Sequence, residues 1–119
     1  MKQPGANPER RIHPRHRVRV AVVWNNRNNQ LMPGEICDVS SEGLFLVGTT
    51  ALPDEVGIGD TMQITVHTET GNEVLVGIVR WRGYHPVHEA IGCGIRLDPS
   101  SIITANRIFP VLNHAKSRT

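Results

Sequence analysis

Six basic side chains crowd the first twenty residues of this 119-residue chain: Lys2, Arg10, Arg11, Arg15, Arg17 and Arg19 face a single acid, Glu9. That segment carries a net charge of +5, while the rest of the chain carries −3. A basic segment on a mildly acidic body calls for an anionic partner. An arginine suits such a partner better than a lysine, because its planar fork of donors engages phosphate oxygens two at a time. Arg11 and Arg15 stand four residues apart. Further on, Asp38-Val39-Ser40-Ser41-Glu42-Gly43 sets a carboxylate and a hydroxyl beside a glycine. Two histidine pairs, His13-x-x-His16 and His85-x-x-His88, supply nitrogen ligands in principle. One pair lies in the basic arm and the other in a loop containing Pro86, where nothing fixes a tetrahedral geometry, so no metal site is expected. Catalysis is not expected either: the chain has no Gly-x-Ser-x-Gly, no phosphate-binding glycine loop before a lysine and no His-Glu-x-x-His.

These residues need elements to position them. Residues 1–9, with Pro4, Gly5 and Pro8 and no apolar period, read as a disordered arm. From Val18 to Trp24 the period is two, with Val18, Val20, Val22 and Trp24 on one face, which describes a half-buried strand. The asparagine-rich residues 25–29 form a turn. Residues 32–39 and 43–47 read as the next two strands, joined through a tight connection at residues 40–43. Residues 48–59 form a longer loop. A fourth strand over 61–68 alternates Met62, Ile64 and Val66 with polar residues, and a hairpin turn follows at 69–72. Residues 73–82 and 90–97 complete six strands. If Leu75, Val79 and Trp81 share a face, Trp81 plugs one end of the core. The period then changes: Asp98-Pro99 reads as a helix start, and Ile102, Ala105, Phe109 and Leu112 recur at helical spacing, with Pro110 kinking or ending the regular part.

Six short strands and one amphipathic helix predict an all-β fold, a small antiparallel barrel with a C-terminal helix laid against it. The length suits one domain, with the arm at 1–9, the folded unit at 10–114 and a frayed tail at 115–119. No apolar run is long enough to span a bilayer or to form a signal-peptide core, which points to the cytoplasm and away from a membrane. Cys37 and Cys93, each among strand-like apolar residues, are expected to be buried free thiols.

The motifs together resemble the PilZ family. Arg11-x-x-x-Arg15 matches its Arg-x-x-x-Arg, and Asp38-x-Ser40-x-x-Gly43 matches its Asp/Asn-x-Ser-x-x-Gly. Gly92-Cys93-Gly94-Ile95-Arg96-Leu97 resembles its last strand, with Leu97 where an aromatic residue is usual. The resemblance spans residues 9 to 112. It implies a six-stranded split-type barrel that is not an enzyme and needs no cofactor. The implied ligand is cyclic di-GMP, a cyclic dinucleotide with two phosphates and two guanines.

On that resemblance Arg11 and Arg15 grip phosphates and the O6/N7 edge of guanine, Asp38 accepts from the guanine N–H donors, Ser40 donates to a ring nitrogen or phosphate, and Gly43 leaves room for a base. Arg10, just before the arginine pair, implies a ligand bound as two intercalated molecules. His13, Trp81 and Gly94 are secondary candidates, His13 near a purine and Trp81 as a stacking surface. The implied mechanism orders the arginine arm on ligand binding and signals to an effector protein. Three rival readings stand beside it. The arginines form only a solvated basic face and Asp38-Val39-Ser40 an ordinary turn; or the domain is an adaptor in motility or surface machinery that binds no nucleotide; or the arm binds DNA or RNA, for which it lacks interleaved aromatics.

Overall fold

A computed structural model describes residues 16–25, 29–48 and 56–109. Six strands and a helix succeed one another: β1 (His16–Asn25), β2 (Leu31–Val39), β3 (Gly43–Gly48), β4 (Thr61–Thr68), β5 (Gly71–His85), β6 (Ala90–Leu97) and α1 (Pro99–Ile108). The strands close into a barrel in the order β1-β2-β3-β6-β5-β4, every neighbouring pair antiparallel. Closure pairs every strand with two neighbours, although β1 meets β4 only over Val22–Asn25. The barrel and its C-terminal helix are the architecture the alternation implies. Arg10, Arg11, His13 and Arg15, the arm at 1–9, the tail at 115–119 and most of the loop at 48–59 lie outside the described residues.

The inward face supplies the core. Val22 and Trp24 of β1 meet Ile36, Leu44, Leu46, Ile64, Leu75, Val79 and Ile95 inside the barrel. Each fully buried aliphatic side chain contributes about 1.5–3 kcal/mol relative to exposure. Cys93 is buried among them, and burial pushes its thiol up to about 12. Cys37 differs from the expectation. It is only half-buried, although burial and the neighbouring Glu35 still raise its pKa. Both cysteines are free.

Two local shifts decide what faces outward. The β2 register shifts between Ile36 and Asp38, and the β5 register between Val79 and Trp81. Ile36 and Val79 are fully buried in the core, and strict alternation would send Asp38 and Trp81 inward with them. The extra residue in each strand turns both to the outside, as a β-bulge does. The expectation that Trp81 plugs a barrel end is therefore corrected: Trp81 is 42% exposed.

The ends of the elements also follow local chemistry. β5 begins at Gly71 (φ 132°), so Glu69 and Thr70 alone make the turn, and it runs to His85 rather than Arg82. The Asp98 side chain accepts from Ser101 N–H at 2.8 Å, capping α1, and Pro99 occupies the first turn. That hydrogen bond holds the Asp98 carboxyl below its usual range. The helix stops at Ile108, because Phe109 precedes a proline and takes extended angles (φ −105°, ψ 98°). The helical period through Phe109 thus overran the helix, and Leu112 lies outside the described residues. Polar and apolar contacts hold α1 to the barrel: Val76 N–H donates to Ser101 Oγ at 2.7 Å, Arg107 pairs with Glu73 at 2.9 and 3.1 Å, Ala105 joins the core, and Ile102 and Ile108 pack against it. No helix among the described residues is long and apolar enough to cross a membrane.

Candidate functional site

Four strands that are neighbours in the barrel carry one lateral row of residues. Asp38 of β2 pairs with Phe45 of β3, Phe45 with Gly94 of β6, and Gly94 with Trp81 of β5. Leu44 and Leu46 point into the core, so Phe45 between them faces out. Both bulges fall on this row and bring its two ends to the same outer face. With His85, the four residues line a cleft of about 350 Å³. That is near the lower end of small-molecule sites, ~300–1,000 Å³, and is room for a base rather than for a whole dinucleotide. A larger cavity of about 960 Å³ lies elsewhere, between Val18, Val66 and Phe109. It sits where the chain continues beyond Phe109, and Arg107 on its rim is already paired with Glu73.

Asp38 forms the polar end of the cleft. It is 3% exposed, and a carboxylate so deeply buried must be met by donors. The His88 Nε2 lies 2.9 Å from its Oδ2, and the His85 Nε2 lies at 4.0 Å. Val87 N–H donates to His85 Nδ1 at 3.2 Å, which assigns the proton of a neutral His85 ring to Nε2, on the side of Asp38. Phe45 is the common support: His88 stacks on it at 5.6 Å and 14°, and His85 packs against it at 4.8 Å. The turn that carries His88 is closed by Glu89 N–H donating to His85 C=O at 2.7 Å, with Glu89 in the left-handed region (φ 53°).

Trp81 forms the apolar end. Its ring lies 5.7 Å from that of Phe45, tilted by 44°, and the residue stays exposed. Gly94 clears the space in front of it. A Cβ on Gly94 would lie 3.6 Å from the Trp81 Cβ, an ordinary contact that would nonetheless fill the cleft floor.

The Asp-x-Ser-x-x-Gly segment divides its labour differently from the expectation. Ser40 is 5% exposed, and its Oγ accepts from Gly43 N–H at 3.3 Å while Ser40 N–H donates to Gly43 C=O at 2.8 Å. Ser40 thus closes the β2–β3 turn and holds Asp38 at the end of its strand. Gly43 leaves no space for a base, because a Cβ there would stand 2.2 Å from the Ile95 carbonyl oxygen. Its lack of a side chain lets β3 approach β6.

The described part of β1 begins beside this site. His16 pairs with Val39 and Arg17 with Asp38 at the start of β1, and Arg15 is bonded directly to His16. Arg19 pairs with Glu35 at 3.3 Å. A buried acceptor at one end and an exposed indole at the other suit a flat ligand with N–H donors on one edge. The sequence matches the PilZ domain model over residues 9–109.

The chain belongs to the PilZ domain family. Among solved structures, the PilZ fold here is similar to "PilZ domain with c-di-GMP of YcgR from Escherichia coli", with a TM-score of 0.65 and 18% identity over 92% of this chain and 96% of that one. It is also similar to the K. pneumonia MrkH–c-di-GMP complex (TM-score 0.63, 16% identity) and to the Bacillus subtilis inhibitor of motility MotI/DgrA (TM-score 0.61, 10% identity). It covers 90% of itself in both comparisons but only 54% and 51% of those longer chains. No curated protein matches the sequence.

Within this PilZ domain, sequence reasoning named Asp38, Trp81 and Gly94 and missed how Phe45, His85 and His88 join them. Phe45 sits in an unbroken apolar run, where period two gives no facing. The two histidines were visible as a spaced pair, but their partner Asp38 is about fifty positions away in the chain.

Proposed function

We propose that this PilZ domain is a receptor for cyclic di-GMP, with one guanine held on the Asp38–Phe45–Gly94–Trp81 row. The observation that carries the reading is that row: a buried carboxylate and an open indole on one face, at the point where the arginine segment joins β1. The Watson–Crick edge of guanine offers N1–H and an exocyclic amine, which suit the Asp38 carboxylate. The purine face suits Trp81, and stacking of this kind is worth about 1–3 kcal/mol per base. His88 now occupies the Asp38 Oδ2, so the incoming edge replaces or shares that bond.

Arg15 is one bond from His16, and a stretch of four residues spans at most ~14 Å. Arg11 and Arg15 are therefore tethered within reach of phosphates on a base seated in the cleft. Arg10 supplies a further cation, for a second, intercalated ligand molecule. Ligand bridging the segment to the barrel orders it, and a partner protein in the cytoplasm distinguishes the two states. The domain performs no chemistry on the ligand.

Calorimetric titration of the full chain with cyclic di-GMP tests this. Saturable binding is expected, with Arg11→Ala and Arg15→Ala each losing more than tenfold, or ~1.4 kcal/mol. Asp38→Asn should weaken binding and narrow the preference for cyclic di-GMP over cyclic di-AMP. Parent-like binding by both arginine variants would refute the site, and absence of binding by the parent would refute the function.

A further inference from the structure

We infer that Asp38, His85 and His88 form a binding site for a borderline divalent cation such as Zn²⁺, and that the cation and a guanine edge compete for Asp38. The donor set is a buried carboxylate and two imidazoles, whose ligand atoms all lie within 4.8 Å of one another. Two imidazoles beside one carboxylate favour zinc, cobalt or nickel over magnesium or calcium, which prefer oxygen alone.

The spacing is close to what such an ion needs. Ligands about 2.0–2.1 Å from a tetrahedral zinc stand about 3.3 Å apart. Asp38 Oδ2 lies 2.9 Å from His88 Nε2 and 4.0 Å from His85 Nε2, and no pair of ligand atoms is more than 4.8 Å apart, so the widest pair closes by at most about 1.5 Å to reach ligating distance. The absence of anything to fix such a geometry argued against a metal in the loop around Pro86. The structure supplies the support. Phe45 braces both rings, which lie 4.6 Å apart, the Glu89–His85 hydrogen bond closes the turn, and Asp38 is anchored at the end of β2. The grouping is also not the one the His-x-x-His pairs suggested, since the third ligand is Asp38 rather than a histidine of the arm.

Two contacts must change. His88 Nε2 and Asp38 Oδ2 give up their 2.9 Å contact as both turn to the cation, which leaves the His88 ring proton on Nδ1. Ligation through His85 Nε2 places the ring proton on Nδ1, and the Val87 N–H now donating there turns to water. That contact is exposed and 3.2 Å long, so solvent replaces it. Three protein ligands leave the fourth tetrahedral position for water, the pattern of an open zinc site.

The competition rests on the nucleotide reading given above, whereas the cation site does not. A cation drawing on the Asp38 carboxylate removes the acceptor that the guanine edge needs. By linkage each ligand must then weaken the other by the same factor.

The test uses tag-free, chelator-treated full chain in two arms. In the first, without nucleotide, Zn²⁺ binding is followed by calorimetry and Co²⁺ binding by visible absorption. One equivalent is expected to bind, with the intense visible bands of a four-coordinate site. His85→Asn and His88→Asn should each weaken binding at least tenfold, and His67→Asn, on the far hairpin, should bind like the parent. Melting curves in chelator establish that the variants are folded. No saturable uptake by the parent, or parent-like affinity in a folded His85 or His88 variant, would overturn the site. In the second arm, cyclic di-GMP affinity is measured with chelator and then at a buffered saturating level of Zn²⁺. At least a tenfold weakening is expected, and unchanged affinity would overturn the competition. Zinc uptake by a chain that binds no nucleotide in chelator would uphold the site and reject the nucleotide reading.

Discussion

Two glycines in this domain should respond to the same substitution in opposite ways. A Cβ at Gly43 would stand 2.2 Å from the Ile95 carbonyl oxygen, whereas one at Gly94 would find Trp81 carbon atoms at 3.6 and 3.8 Å. Carbon–oxygen contacts settle near 3.3 Å at the closest, so Gly43→Ala must part β3 from β6 by about 1 Å. The strain falls where Gly43 pairs with Arg96 and Leu44 with Ile95, with a backbone carbonyl that cannot swing aside. Overpacking costs about 1–3 kcal/mol and each weakened ladder bond about 1 kcal/mol, so a loss of about 2–3 kcal/mol is expected. For a domain of this size that lowers Tm by roughly 10–20 °C. Gly94→Ala should leave Tm within a few degrees, yet its methyl group occupies the cleft floor and should weaken cyclic di-GMP at least tenfold. Thermal melts and calorimetric titrations of the two variants supply both readouts. A Gly43→Ala protein that melts like the parent but binds no ligand would refute the structural role assigned here and restore Gly43 to the ligand. A Gly94→Ala protein with parent-like affinity would remove the base from the cleft.

Three further outcomes follow from the same structure. Trp81→Ala should weaken cyclic di-GMP by about 1–3 kcal/mol, or roughly five- to 150-fold, with Trp81→Phe intermediate in a parallel titration. Asp98→Ala should lower Tm at neutral pH by removing the cap of α1. Because the folded Asp98 carboxyl is held below its ordinary value of 3.8, its contribution is complete above that value and is lost as pH falls through the lower folded value. The Tm gap between parent and variant should therefore close only in acid, and a gap that is constant down to that range would contradict the capping account. Cys93, with its thiol pushed up to about 12 and no exposed surface, should resist a disulfide thiol reagent at pH 8 until the protein is unfolded. Prompt labelling of both cysteines in the native protein would show the core to be open there.

The sequence conveyed the barrel because each strand carries its own evidence. Thr61–Thr68 alternates cleanly, and the Asp98-Pro99 cap depends on a hydrogen bond three residues away. What it concealed was phase. The shifts between Ile36 and Asp38 and between Val79 and Trp81 leave no mark in residue type, yet each reverses the facing of a site residue. Trp81 accordingly read as core. Asp38 was found through its motif and His85 and His88 as a spaced pair, but their contact was not, because it joins residues brought together only when β2, β3, β6 and β5 lie side by side. Gly43 illustrates the converse: a motif position that looks made for a ligand is explained by backbone packing.

The central claim is that one face of the barrel, along Asp38, Phe45, Gly94 and Trp81, receives the base. Titrating isotope-labelled protein with cyclic di-GMP and following the Trp81 indole N–H and the amides of that row by NMR tests it most directly. The account expects the largest shifts there and along the start of β1, with the Trp24 indole in the core little changed. Binding that left the Trp81 indole and the amides of Phe45 and Gly94 unmoved, with shifts gathered instead around Val66 and Phe109, would contradict it.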